Sequence, residues 1–396
     1  MGCYQLSKFI PRNNKMVCVG AWFGDLYADN PKYFVEYLLS NSDFEVVWVG
    51  NKTVEDLLPK HPRLSFVAKN SVRSVIKLLR AKYWICCIFH PLDLTNLPID
   101  GGAICINVWH GIPIKQNGNK NTVWDKSCAK GRGVLAMAER LYTRLVSGAK
   151  EWLLVSSEKM ERIQLDGYPA VFMPERILNF GSPRNDYFIQ NRGNANLRAT
   201  LKREIASRLG FSEDKKIVLY MPTWRFFGKN VFCFYAQSVT AQVEMKSLME
   251  KYSAILIEKH HFHTYEIHKA SSASICSTVI TNEQSMKIDP QQLLLCADVL
   301  ITDYSSAFVD FGLLQRPCIH FAYDLEDYLK VDSGLSYDLR KVAAGPVVTT
   351  IPELLYSLDL ALRFNRFEPA ADFHSLVEYE SGNACGRLLS FMQEHR

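Results

Sequence analysis

Two adjacent serines follow a short apolar run in the last third of the sequence, where a phosphate group could be held. Asp303, Ser305 and Ser306 come directly after residues 299–302, a run typical of a buried parallel strand. If a helix begins there, its free backbone N–H groups and partial positive charge converge on one point. We therefore predict a site for the phosphates of a nucleotide that needs no metal ion. The alternative is that Asp303 or Ser305 only caps the helix.

Three more apolar runs end in histidine, arginine or other polar side chains. In chain order these residues are His110 with Gly111, Thr223 with Arg225, and the neighbours His260 and His261. A single histidine after a strand is more often a hydrogen-bonded structural residue than a catalytic one. Because ligands of open α/β sheets bind beyond the carboxyl ends of the strands, several such ends together favour a functional site.

Short β-branched runs alternate with helical patterns along the chain, which is typical of parallel sheets with crossover helices. The predicted strands are residues 16–20, 45–49, 83–89, 104–109 and 152–156, then 216–221, 254–258, 299–302 and 317–321. A length of 396 residues suits two α/β domains. Residues 191–216 are polar and charged, so the boundary is predicted within 190–212, with domains 1–200 and 201–396.

Composition and charge narrow the functional classes. Hydrophobic residues make up 48% and charged residues 22% of the chain, as in soluble globular proteins. The net charge of +5 permits an anionic substrate or membrane surface, and the sequence contains no basic–aromatic nucleic-acid module. The N-terminus lacks the apolar core of a signal peptide and no apolar run reaches the length of a membrane span, so a cytoplasmic protein is predicted.

The cysteines show no metal-binding pattern. All 11 occur without a CxxC pair and without histidines at zinc-ligand spacing. They are predicted to be small buried residues of a protein in a reducing compartment. His263 and His268 also lack carboxylate or cysteine partners at ligand spacing, so no metal site is predicted.

A basic helical region is predicted within residues 115–150, where lysines and arginines are interspersed with apolar residues such as Leu135 and Leu141. One interpretation is an ordinary amphipathic helix with a solvated face. The other is a surface that docks on anionic lipid.

Taken together, seven motifs resemble the CDP-glycerol glycerophosphotransferase family, the primases and polymerases of teichoic acid and capsule polyol phosphates. The motifs occur in the family's order, and the match extends from about residue 16 to residue 360. They are NPKYFVEYL (30–38), WHGIPIK (109–115), GSPRNDYF (181–188), YMPTWR (220–225), ITDYSSAFVDF (301–311), RPCIHFAYDLEDY (316–328) and GPVV (345–348). The resemblance implies a GT-B fold, with two Rossmann-like domains that face a cleft. It also implies transfer of glycerol phosphate or ribitol phosphate from a CDP-polyol to a lipid-linked saccharide or growing polymer, with release of CMP.

An acceptor hydroxyl needs a base at neutral pH, and histidine titrates in the right range. The resemblance implies that His110 is this base. Charge then builds on the departing phosphate and needs preorganised donors, for which the candidates are Ser305, Ser306, Arg225 and one of His260 and His261. Arg184 and Asn185 are expected to position the polyol or phosphate. The remaining candidate substrate contacts are Asn30, Gly111, Thr223 and Asp303.

One motif departs from the family pattern of a basic residue, one intervening position and then His-Pro. This chain has Lys259, His260, His261 and Phe262 at that place. The spacing favours Lys259 with His261, whereas counting from the strand allows His260, and both remain candidates.

The expected partners are a CDP-polyol donor, a polyprenyl-diphosphate-linked acceptor and the inner face of the cell membrane, with no cofactor, no metal and no nucleic acid. A homo-oligomer is possible. Two other functions compete with this one. The first is a GT-B glycosyltransferase or epimerase that uses a UDP- or CMP-sugar, and the second is a catalytically inactive scaffold protein.

Overall fold

The computed structural model describes residues 2–118, 150–223, 239–259, 279–280, 288–331 and 334–396. The chain divides into two compact units. Unit 1 comprises Met1–Gly111, Asn117–Tyr187 and Val377–Arg396, and unit 2 comprises Ile112–Gln116 and Phe188–Leu376. Each unit is built on a parallel sheet with crossover helices, so the predicted α/β class with two Rossmann-like sheets is confirmed.

The sheet of unit 1 has the strand order β3-β2-β1-β4-β5-β6-β7, and all its pairings are parallel. Its strands are β1 Asn13–Val19, β2 Glu45–Gly50, β3 Leu64–Ala68, β4 Ala81–Cys86, β5 Ile104–Asn107, β6 Trp152–Leu154 and β7 Ile177–Leu178. The order 3-2-1-4-5 is that of a doubly wound nucleotide-binding sheet, whose topological switch point lies between β1 and β4.

The helices of unit 1 cover both faces of this sheet's strands with apolar side chains. They are Gly2–Ser7, Asp29–Asn41, Val72–Arg80, His90–Asp93, Glu158–Gly167, Pro183–Asn191 and Ala384–Glu394, with 3-10 turns at Trp22–Gly24, Lys52–Leu57 and Pro174–Arg176. Serine side chains define two of the helix starts: Ser71 accepts from the N–H of Ser74, and Ser157 from that of Met160.

The C-terminal segment of the chain packs within unit 1. The Asp186 carboxylate accepts the N–H groups of Ala384 and Cys385 at 2.8 Å each, at the start of the last helix. Trp152 of β6 contacts the ring of Phe391 on that helix, edge to face. The predicted domains 1–200 and 201–396 placed this C-terminal segment in the second domain, whereas in the structure it belongs to unit 1.

The sheet of unit 2 has the order β10-β9-β8-β11-β12-β13, again all parallel. Its strands are β8 Lys216–Met221, β9 Ala254–Glu258, β10 Val279–Ile280, β11 Val299–Thr302, β12 Cys318–Phe321 and β13 Val347–Val348. This is the same doubly wound order, with the switch point between β8 and β11.

The helices of unit 2 enclose a second apolar core. They are Ala195–Leu209, Val239–Lys251, Pro290–Cys296, Ala307–Gly312, Leu325–Val331, Leu339–Val342 and Ile351–Phe364, with a 3-10 turn at Phe373–Leu376. A capping box between Thr350 and Glu353 begins the helix Ile351–Phe364.

Within the described ranges, no helix combines the length and apolar character needed to cross a membrane. Most of the predicted basic helical region falls in residues 119–149, which lie outside these ranges.

Candidate functional site

The turn after β5, residues 109–111, carries the predicted base and is called the WHG turn below. Trp109 has φ 52° and Gly111 has φ 132°, so the backbone passes through the left-handed region twice. A tryptophan there is strained and needs support from its surroundings. The support comes from the buried Asn30, whose Nδ2 donates to the carbonyl oxygens of Val108 at 2.9 Å and Trp109 at 3.0 Å.

The His110 ring is held in one orientation and one tautomer. Its Nδ1 lies 2.7 Å from the carbonyl oxygen of Cys87. Because a carbonyl oxygen only accepts hydrogen bonds, Nδ1 must carry the hydrogen, and the lone pair of the neutral ring lies on Nε2. The ring stacks on Trp109 with centroids 4.5 Å apart and contacts Trp22 at 5.2 Å.

Burial lowers the pKa of His110, although the Cys87 carbonyl opposes this shift. The residue as a whole remains partly exposed. A lowered pKa keeps the imidazole neutral at neutral pH, as a proton acceptor must be. His110 can therefore take a proton from a bound hydroxyl through Nε2.

Arg184 supports the WHG turn from inside unit 1. Its guanidinium Nη1 lies 2.6 Å from the Asp29 carboxylate and donates to the carbonyl oxygen of His110 at 2.9 Å. Its backbone N–H donates to Oδ1 of Asn30 at 2.9 Å. Arg184 and Asn30 are both nearly fully buried, so the structure places them behind His110. Their predicted contact with substrate stays a prediction.

Asn185 is also buried, and it belongs to a different cluster. Its Nδ2 donates to Oε1 of Glu380 at 2.9 Å, and the Ser182 N–H donates to the same oxygen at 3.1 Å. Burial raises the pKa of Glu380 to about 7, against the opposing hydrogen bonds from Ser156 and Asn185. The motif GSPRND thus joins the C-terminal segment to unit 1, a role that the sequence did not suggest for Asn185.

In unit 2, the turn after β11 lies at the switch point of the sheet. This segment, residues 303–306, is called the DYSS turn below. The Asp303 side chain is fully buried, and its Oδ1 accepts the N–H of Thr223 at 2.8 Å and of Tyr304 at 2.6 Å. Thr223 follows β8, so Asp303 joins the carboxyl ends of the two strands that flank the switch point. Asp303 therefore shapes the turn through the backbone.

Ser305 and Ser306 are partly exposed on this turn, ahead of the helix Ala307–Gly312. Ser306 is the N-cap residue but makes no side-chain cap hydrogen bond. Ser305 Oγ accepts the N–H of Ala307 at 3.4 Å, which is long for a cap. Helix capping therefore accounts for little of what the Ser305 and Ser306 side chains do. Both residues are partly exposed, so an anion could contact their hydroxyl groups.

His320 of β12 supports the DYSS turn by a hydrogen bond to its backbone. This histidine was not among the predicted site residues. Its Nδ1 donates to the carbonyl oxygen of Asp303 at 3.0 Å, and its Nε2 accepts the N–H of Ala344 at 3.1 Å. Burial lowers the pKa of His320 to about 4, so the ring is neutral at physiological pH. The motif RPCIHF contained this histidine, but nothing in its spacing indicated the contact.

Three predicted donors lie outside the described residues: Arg225, His260 and His261. Their neighbour Lys259 is described at the end of β9, where its Nζ donates to the carbonyl oxygen of Ile288 at 2.8 Å. Burial lowers the pKa of Lys259 to about 8.

Known proteins resemble this chain along nearly its whole length. The family model described as CDP-Glycerol:Poly(glycerophosphate) glycerophosphotransferase matches residues 3–393. A teichoic acid poly(glycerol phosphate) polymerase of Bacillus spizizenii is 25% identical over 394 residues, with 98% of this chain and 94% of that protein covered. A teichoic acid glycerol-phosphate transferase of Staphylococcus aureus is 28% identical over 356 residues, with 90% and 86% covered.

Solved structures show the same fold. The wall teichoic acid polymerase TagF matches with a TM-score of 0.78 and 23% identity, covering 99% of this chain and 91% of that chain. A UDP-GlcNAc 2-epimerase from Methanocaldococcus jannaschii matches with a TM-score of 0.54 and 13% identity, covering 95% and 99%. The predicted GT-B fold is confirmed, and so, at the level of the family, is the prediction of a CDP-polyol-dependent transferase. The chain belongs to the CDP-glycerol:poly(glycerophosphate) glycerophosphotransferase family.

Proposed function

We propose that this protein transfers glycerol phosphate from CDP-glycerol to a hydroxyl group of a lipid-linked saccharide or growing polymer and releases CMP. The observation that carries the proposal is His110, a neutral histidine with a defined tautomer on a strained and supported turn. The family description and the relatives' names favour glycerol phosphate as the transferred group. A CDP-ribitol donor is the alternative, since a poly(ribitol-phosphate) polymerase is also among the relatives.

In the proposed reaction, Nε2 of His110 accepts the proton of the acceptor hydroxyl as its oxygen attacks the phosphorus that bears the polyol. A new P–O bond forms to the acceptor, the P–O bond to CMP breaks, and the pair of electrons leaves with CMP. The Cys87 carbonyl stabilises the resulting imidazolium through Nδ1–H. Arg184 and Asn30 keep the ring at the required place.

The donor phosphates are proposed to bind at the DYSS turn of unit 2. Ser305 and Ser306 offer hydroxyl donors there, and Asp303 and Thr223 fix the backbone around them. Arg225 and one of His260 and His261 are proposed to meet the charge on the departing CMP. No metal or other cofactor takes part in the proposed reaction.

We further propose that the protein works at the inner face of the cell membrane, where a polyprenyl-diphosphate-linked acceptor would be found. The support is indirect: a net charge of +5 and the basic residues within 115–150 favour an anionic surface. The relatives' names favour a teichoic acid of the cell wall over a capsule polymer as the product. Primase and polymerase activity both fit the proposed reaction, since enzymes of both names are among the relatives.

The test is an assay of CMP release with a lipid-linked acceptor in vesicles, using CDP-glycerol, CDP-ribitol and UDP-GlcNAc as parallel donors. We expect CMP release and acceptor extension with CDP-glycerol, and at least a hundredfold lower rate with the other two donors. Turnover with CDP-ribitol alone would keep the reaction and change the polyol. Nucleotide release from UDP-GlcNAc alone would overturn the proposed function, and binding of CDP-glycerol without turnover would support a scaffold protein.

A further inference from the structure

A compact group of potential metal ligands lies inside unit 1, apart from the WHG turn. It consists of His90, Asp100 and Cys105, which are 4%, 1% and 1% exposed. One ligand atom from each lies within 4.8 Å of the others. His90 follows β4, Cys105 belongs to the neighbouring strand β5, and Asp100 lies on the loop between the two strands. The group offers an imidazole, a thiol and a carboxylate, which are all ligand types that zinc binds.

The histidine of this group is oriented by a buried carboxylate. Glu151 Oε1 lies 2.5 Å from His90 Nδ1 and also accepts the His90 backbone N–H at 2.8 Å. The other oxygen of Glu151 accepts from Asn107 Nδ2 at 2.7 Å. A carboxylate on one ring nitrogen fixes the tautomer and leaves the other nitrogen as the ligand, as is common for zinc-binding histidines.

The other ring nitrogen of His90 faces the Asp100 carboxylate at an ion-pair distance that is also close to the separation of two zinc ligands. His90 Nε2 and Asp100 Oδ2 are 3.7 Å apart, which is too long for a hydrogen bond. Two ligands of a tetrahedral zinc ion, with bonds of about 2.0–2.2 Å, are separated by about 3.4 Å. The observed separation is close to this value, so small side-chain movements would complete the geometry.

The loop that carries Asp100 is rigid. Arg12 donates through Nη2 to the carbonyl oxygens of Ile99 at 2.9 Å and Gly101 at 2.6 Å, on either side of Asp100. A preformed loop reduces the entropy cost of assembling a metal site.

We propose that His90, Asp100 and Cys105 supply three of the four ligands of one Zn²⁺ ion, with Glu151 as the carboxylate that orients His90. Binding displaces the thiol proton of Cys105, so Zn²⁺ and two anionic ligands form a neutral unit. This site lies outside the proposed reaction. It stabilises the strand end that leads to the WHG turn, because Asn107 links Glu151 to the backbone N–H of Trp109 at 2.9 Å.

The experiment uses the full chain without a histidine tag, produced in zinc-supplemented and, separately, cobalt-supplemented medium. Metal content is measured by mass spectrometry, and the cobalt protein is examined for a thiolate-to-Co²⁺ charge-transfer band. The variants are Cys105→Ala and Asp100→Asn, and folding is followed by circular dichroism. Cys18→Ala is the matched control, because Cys18 is a fully buried cysteine of the same apolar core but is not a ligand.

We expect about one equivalent of zinc in the wild-type chain and in Cys18→Ala, with a thiolate–Co²⁺ band in both. Cys105→Ala should lose the band, and both ligand variants should retain at most about a fifth of the metal. Wild-type protein with less than about 0.1 equivalents would overturn the proposal and leave His90 as an imidazolium between two carboxylates. Equal metal content and an unchanged cobalt band in Cys105→Ala and Cys18→Ala would overturn it as well.

Discussion

The WHG turn of unit 1 and the DYSS turn of unit 2 each follow an inner strand, in sheets of similar topology, but different interactions stabilise them. A buried ion pair between Arg184 and Asp29 supports the first, together with an amide. A neutral histidine and backbone hydrogen bonds to Asp303 support the second. The first turn presents a side chain that must keep one tautomer, whereas the second presents hydroxyl and N–H groups. The turn that carries the proton acceptor is held by a buried ion pair, whereas the candidate anion site is shaped by a buried carboxyl group that accepts backbone N–H groups.

The largest expected effect concerns the buried ion pair. Arg184→Met should destabilise unit 1 by about 3–5 kcal/mol, because it leaves the Asp29 carboxylate buried without its partner. Urea unfolding followed by tryptophan fluorescence would measure this, since Trp84 and Trp109 are buried in unit 1. Arg162→Met is the control, because Arg162 forms an exposed pair with Glu158 and should cost less than about 1 kcal/mol. If Arg184→Met and Arg162→Met lose equal stability, the buried ion pair gives the WHG turn no special support. The distinction between the WHG turn and the DYSS turn would then be removed.

The second effect is catalytic. His110→Ala should lower the rate of CMP release by about a hundredfold or more, since the loss of a general base has that magnitude. Unfolding should change far less than in Arg184→Met. The exposed His374, on the 3-10 turn Phe373–Leu376, provides a control substitution to alanine that should leave the rate unchanged. A His110→Ala variant that keeps more than about a tenth of the rate would refute the assignment of the base.

The third effect is a pH dependence in unit 1. The folded-state pKa of Glu380 is raised to about 7, so the folded chain binds more protons than the unfolded chain between about pH 4.5 and pH 7. Stability contributed by this group is therefore present at low pH and is lost as the pH rises through 7. Relative to wild type, Glu380→Gln should become more stable between pH 5 and pH 8 by about 2 kcal/mol.

Urea midpoints at several pH values would test this, with Glu353→Gln as the comparison. The pKa of Glu353 is lowered by the capping hydrogen bonds of Thr349 and Thr350, so its contribution has the opposite sign: it is fully present above the normal glutamate pKa and is lost as the pH falls below it. A Glu380→Gln variant that follows the wild-type pH profile would show that the enclosed carboxylate does not titrate near neutral pH.

Much of the fold could be predicted from the sequence, because long buried strands have a strong β-branched signal. Strands β3, β7, β10 and β13 were missed: β3 is partly exposed, and each of the others has only two residues. The predicted strand 83–89 ends early, at Cys86, because the Asp93 carboxylate accepts the N–H groups of Cys87 and Ile88. Here a side chain accepts the N–H groups that a neighbouring strand would otherwise accept. Such a contact leaves no periodic pattern in the sequence.

The exposed part of the candidate site was easier to predict than its supports. His110, Ser305 and Ser306 follow strands in sequence, so strand ends pointed to them directly. Arg184 reaches Asp29 across 155 positions, and His320 acts through a carbonyl oxygen of the neighbouring strand end. Such contacts depend on tertiary packing, which the local sequence does not record. The sequence therefore predicts substrate contacts for polar residues of the motifs, which stay predictions, but it does not predict the supporting contacts that several of these residues make in the structure.

The smallest expected effect tests the DYSS turn as an anion site. Ser305→Ala and Ser306→Ala should each raise the KM for CDP-glycerol by about tenfold, since a hydrogen bond to a charged group contributes about 1.5–3 kcal/mol. The turn should keep its shape, because Asp303 and His320 hold it through the backbone and not through either serine. Ser212→Ala, an exposed serine elsewhere in unit 2, should leave the KM unchanged. If neither serine variant alters the KM, the turn supports the fold of unit 2 and the donor phosphates bind elsewhere.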